Sequence, residues 1–145
     1  MRQINLAWFL LALFIWTGVF QFIISFPFAS ILNTNDVTSS ELIKSIVSYG
    51  TLFIGTFIGT FITYKRYTTV ASERKVLIFF MIINFSLLVL MRIYSSFTFL
   101  HDLSLVGILK IALGTLISTV FQGLGIYLAY IFFKRMSNTN NSLES

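Results

Sequence analysis

The chain has no cysteine, one proline, one histidine and five acidic residues among 145. Without a thiol there is no disulfide, no thiolate nucleophile and no Cys-ligated metal. A single His101 without clustered carboxylates is too little for a zinc site. His101-Asp102-Leu103-Ser104 does not make a triad either, because a nucleophile needs its base within hydrogen-bond reach and adjacent side chains do not generally face one another. The five acids, Asp36, Glu41, Glu73, Asp102 and Glu144, lie outside the longest apolar runs. Proton relays and intramembrane catalysis depend on ionisable groups within the membrane. Such chemistry therefore lacks its usual carboxylates here. Charged residues make up 10% of the chain, against about 25% in a soluble domain.

What fills the chain instead is apolar. Hydrophobic residues are 57% of it, seventeen of them Phe, and the mean hydropathy is +0.88. Four long runs, about residues 4–28, 45–64, 76–99 and 105–133, contain no Asp or Glu. Each can cross a hydrocarbon core of about 30 Å, which needs roughly 20 helical residues. The expected fold is all-α, an antiparallel four-helix transmembrane bundle in one domain over 1–135. A polar tail at 136–145 is expected to be disordered. The first run is expected to stay as a helix, since Arg2 alone makes a poor signal-peptide n-region and the run exceeds a usual h-region.

The charges divide by side once the runs are placed. Arg2, Lys65, Arg66, Arg74, Lys75, Lys134 and Arg135, with Glu73 and Glu144, share one side: seven basic against two acidic, a net of +5. Lys44, Arg92 and Lys110 balance Asp36, Glu41 and Asp102 on the other. Basic residues concentrate in cytoplasmic loops, so both termini and the 64–75 loop are predicted to face the cytoplasm. The expected location is a membrane crossed several times, such as a bacterial cytoplasmic membrane. The expected partners are the lipid bilayer, with anionic headgroups at the inner face, and either a second copy or a larger membrane protein. No nucleic-acid motif, nucleotide motif or cofactor signature is present.

Local signals mark the helix ends. Pro27 suits the end of the first helix. Thr38 and Glu41 fit a capping box for the second, and Ser72 fits an N-cap for the third. The short turn at His101-Asp102 makes the third and fourth helices antiparallel neighbours. Trp8 suits the inner interface.

Two sets of residues stand out as candidate sites. On the second helix Thr51, Gly55, Gly59 and Thr63 recur every four residues, and Gly55/Gly59 form a GxxxG pair that lets helices approach closely. Gly114 and Ser118 begin a similar stripe on the fourth helix, so the second and fourth helices are expected to pack together. The other set is polar residues within the membrane: Arg92, Gln21, Asn84 and Gln122, with Lys110 near the rim. An Arg deep in a span costs about 2.5–3.5 kcal/mol on insertion scales. Asn84 and Arg92 are expected to face into the bundle, with Gln21 or an outer carboxylate as partner. Helix surfaces with little chemistry point to a non-enzymatic protein working by helix–helix contact, as an accessory subunit, assembly factor or immunity-type protein. The alternative is an oligomeric transporter or channel with a polar path near Arg92.

Overall fold

The computed structural model describes residues 2–29, 41–100 and 105–143, with side chains described except at 41, 42, 96–100 and 138–143. Of the described residues 91% are helical, and among them are four helices long and apolar enough to cross a membrane. They are α1 (Leu6–Ser25), α2 (Glu41–Arg66), α3 (Glu73–Leu100) and α4 (Leu105–Leu143). A short 3-10 turn, Phe26–Phe28, follows α1 and carries Pro27 in its first positions, where the missing N–H costs nothing.

The start of α1 is set by a cap and a tether. The Asn5 side chain accepts from the Trp8 backbone N–H at 3.0 Å, satisfying one of the donors a helix start leaves open. Just before it, β1 (Arg2–Gln3) pairs in parallel with β2 (Tyr67–Thr68), and the Ile4 N–H donates to the Thr68 carbonyl at 2.9 Å. Residues 4 and 5, expected in the first helix, are thus extended backbone. Arg2 is held beside the loop that leaves α2.

The other ends run longer than the apolar runs. α3 opens where Ser72 predicts it: the Val76 N–H donates to the Ser72 carbonyl at 3.1 Å. α4 continues to Leu143, so the tail expected to be disordered from residue 136 is helical up to that point. At 1.5 Å per residue α4 is about 58 Å long, close to twice the hydrocarbon thickness. The Thr38–Glu41 capping box lies outside the described residues and side chains.

Contacts fix the order of the helices. Gly55 and Gly59 meet Gln21 and Thr17, so α1 and α2 are antiparallel. Gly123 meets Met81 and Gly114 meets Arg92, so α3 and α4 are antiparallel neighbours. Tyr49 stacks on Phe121 at 5.1 Å, and Phe61 meets Phe133 at 6.2 Å. α2 and α4 therefore run in the same direction, at the centre of two hairpins. The apolar core lies at the Arg2 end, where Phe9, Leu13, Tyr64, Val76, Phe80 and Ile126 pack together. Phe14 of α1 stacks there on Phe80 of α3 at 4.5 Å.

Candidate functional site: the polar interior and the cleft at the Arg2 end

Towards the middle of the bundle the buried side chains become polar. Thr56, Thr60, Thr63 and Thr115 are as fully enclosed as Phe9 or Leu13. Helices surrounded by lipid gain little from burying apolar surface against each other, so small and polar residues take the interfaces.

Gly55 and Gly59 place α1 against α2. A Cβ on Gly55 would lie 2.7 Å from the Gln21 Cα, and one on Gly59 would lie 2.6 Å from the Thr17 Cα. Both distances are far inside van der Waals contact, so only glycine admits α1 at this separation. The GxxxG face therefore meets α1, whereas the sequence suggests α4. α4 reaches α2 through another glycine: a Cβ on Gly125 would lie 2.9 Å from the Phe53 carbonyl oxygen. Thr51 and Thr63, expected on the same stripe, are also buried. Their hydroxyls donate to the Ser48 and Gly59 carbonyls of their own helix at 2.9 and 2.8 Å.

The hydroxyls of α4 do the same. Thr115 donates to Ile111, Ser118 to Gly114 and Thr119 to Thr115, at 2.7–2.9 Å. Such back-bonding satisfies a hydroxyl without a partner from another helix. The interior side-chain amides do bond across helices. The Gln21 Nε2 donates to the Thr56 Oγ1 at 2.8 Å, and that hydroxyl donates to the Leu52 carbonyl at 2.7 Å. The Asn84 Nδ2 donates to the Gln122 Oε1, both side chains being buried. Among the described residues one buried side-chain polar atom has no partner, the Thr60 hydroxyl.

The expected polar set therefore divides. Asn84 and Gln122 come together, and Gln21 bonds Thr56. Arg92 is exposed, not turned into the bundle, and its Nη1 lies 3.1 Å from where a Gly114 Cβ would stand. Gly114 leaves the space that the guanidinium crosses. Lys110, one turn before Gly114 on α4, is exposed too. Gln21 does not reach Arg92. Asp36 and Asp102 and the Glu41 side chain, the expected carboxylate partners, lie outside the described residues and side chains.

A second constellation sits at the Arg2 end and draws on three helices. The Tyr130 hydroxyl of α4 donates to the Glu73 Oε1 at the start of α3. The Tyr64 ring of α2 lies 5.5 Å from that of Tyr130, inclined at 54°, and 5.1 Å from Phe9. Beside them is a cleft of about 160 Å³ walled by Tyr64, Glu73, Arg74, Tyr127 and Tyr130, with Leu77 and Ile126 at its apolar side. Sequence reasoning missed this cluster. Its available signal was Glu73, an isolated acid on the basic side, with tyrosines near the ends of the second and fourth apolar runs.

No family model, no curated protein and no solved structure matches the chain.

Proposed function

We infer that this chain is a multi-pass membrane protein with its termini and the α2–α3 loop in the cytoplasm. It works without catalysis, through helix–helix contact, as an accessory subunit, assembly factor or immunity-type protein. Membrane insertion is supported by the exposure of Trp8, Phe22, Ile82, Leu90, Met91 and Leu113 along the helices, a surface that water would not tolerate but lipid would. The orientation is supported by the sevenfold basic end, where the β1–β2 pairing holds Arg2 beside Tyr67.

The contact reading rests on one observation. Apart from the Thr60 hydroxyl, the buried polar side-chain atoms of the described residues are bonded within the bundle. A solute path needs polar groups that can exchange partners with what passes. Here the hydroxyls are bonded to their own helices and the amides to neighbours. Exposed Arg92, near the end of the Glu73–Ser95 span, favours the second reading, a transporter or channel assembled from several copies around it.

Extraction in mild detergent at native expression, followed by mass determination of the intact assembly, separates the two. The contact reading predicts a complex containing a different membrane protein, and no solute or ion flux from the purified chain in liposomes. A homo-oligomer whose flux is abolished by Arg92→Gln would replace it with the transporter.

A further inference from the structure

We propose that the inner-end cleft between α2, α3 and α4 binds the headgroup of an amine-bearing phospholipid, of the phosphoethanolamine or phosphocholine kind. This rests on the membrane reading above.

The cleft joins two opposite charges and three aromatic rings. Glu73 and Arg74 are consecutive on its wall. Tyr130 fixes one oxygen of the Glu73 carboxylate by donating to it. The other oxygen remains to accept from an ammonium, the stronger type of hydrogen bond. Tyr64 and Tyr130, inclined at 54° with centroids 5.5 Å apart, form two sides of a corner, and half-exposed Tyr127 stands at its mouth. Aromatic faces attract alkylammonium groups, most strongly where water is displaced.

A simple cation would fit poorly. Arg74 lines the same cleft, and Arg2, Lys65, Arg66 and Lys75 share its end of the molecule. A simple anion would meet the Glu73 carboxylate. A zwitterion meets both: its ammonium faces Glu73 and the tyrosines, and its phosphate faces Arg74. The volume of about 160 Å³ equals roughly five water molecules at about 30 Å³ each. That suits a headgroup and is well below the usual drug-sized pocket. Buried Ile126 and half-buried Leu77 give the cleft an apolar wall, and the acyl chains would lie beyond it on the exposed apolar surface of the helices.

The test is native mass spectrometry of the full chain in detergent with added phosphatidylethanolamine, phosphatidylcholine or phosphatidylglycerol of identical acyl chains. High salt is used, since a Debye length near 3 Å at 1 M suppresses adsorption to the basic surface. The expected result is retention of one or both amine-bearing lipids at least fivefold above phosphatidylglycerol. Ethanolamine above choline shows N–H donation from the ammonium to Glu73, and choline above ethanolamine shows its methyl groups packed on the tyrosine corner; the Glu73 charge is required in both cases. Glu73→Gln keeps an acceptor for Tyr130 and so preserves the fold, and is expected to abolish the preference. Tyr127→Leu, at the exposed mouth, is expected to weaken it while leaving the melting temperature unchanged. Equal retention of all three lipids, or a preference that survives Glu73→Gln, overturns the proposal. Failure of the membrane reading would show separately, as a chain that alkaline carbonate releases from membranes.

Discussion

Asn84 on α3 and Gln122 on α4 bond each other through their side-chain amides, buried between two antiparallel helices. Each amide satisfies the other where both are enclosed between the helices, since an unpaired buried polar group costs about 1–3 kcal/mol. The two bind the second hairpin much as Gln21 and Thr56 bind the first.

Removing one amide leaves the other stranded. Asn84→Leu should destabilise the bundle by about 1–2 kcal/mol, measured by reversible unfolding in mixed micelles. The double variant Asn84→Leu/Gln122→Leu should be less unstable than the two single effects added. A coupling of about 0.6 kcal/mol, and at most about 1.7, is the range for such bonds in membranes. Strict additivity would mean the amides do not rely on each other.

Gly59 and Gly18 make a matched pair of substitutions. A methyl on Gly59 meets α1 backbone at 2.6 Å, while one on Gly18 meets nothing within 4 Å. Gly59→Ala should cost about 1–3 kcal/mol by overpacking. Gly18→Ala should stay within about 0.5 kcal/mol of the parent. The same unfolding assay reads both, and equal effects would place α1 elsewhere.

Thr60 carries the unpartnered hydroxyl. Thr60→Val removes it at nearly constant shape, so thermal stability should be unchanged or raised, by up to about 1 kcal/mol. Thr56→Val, which takes the acceptor from Gln21, should lower it by about 1 kcal/mol. A loss at Thr60 as large as at Thr56 would show that its hydroxyl has a bonding partner in the membrane.

Arg92 should prove dispensable for assembly. Its side chain is exposed and crosses over Gly114. Arg92→Leu and Arg92→Gln should therefore insert and unfold like the parent. Arg92→Leu also removes an insertion cost of about 2.5–3.5 kcal/mol for a central position, less near a rim. Misassembly of both variants would give Arg92 a structural role.

The four helices were legible in the sequence because runs of about 20 apolar residues need no periodicity to be read. Their ends were less so. The start of α1 depends on the pairing of residues 2–3 with 67–68, a tertiary contact. The end of α4 hides among polar residues that still tolerate helical backbone. Gly55 and Gly59 announced a close approach but not its partner, because α1 meets them through backbone at Thr17 and Gln21 and not through a glycine stripe of its own. Asn84 and Gln122 were recognisable as interior polar groups from their depth. Arg92 meets α4 as Asn84 does, over Gly114, but it lies near the end of the Glu73–Ser95 span, where its side chain stays exposed. The sequence shows the members of the Glu73, Tyr64 and Tyr130 cluster but not their meeting, since three helices must assemble before it exists.

The account depends most on which end faces the cytoplasm, and the absence of cysteine makes that directly measurable. Single cysteines are introduced by Ser39→Cys, Ser72→Cys and Ser104→Cys, each the only thiol in its chain. A membrane-impermeant maleimide is then applied to intact and to permeabilised cells. The account predicts labelling of positions 39 and 104 in intact cells, and of position 72 only after permeabilisation. Labelling of position 72 in intact cells, with 39 and 104 protected, would contradict it.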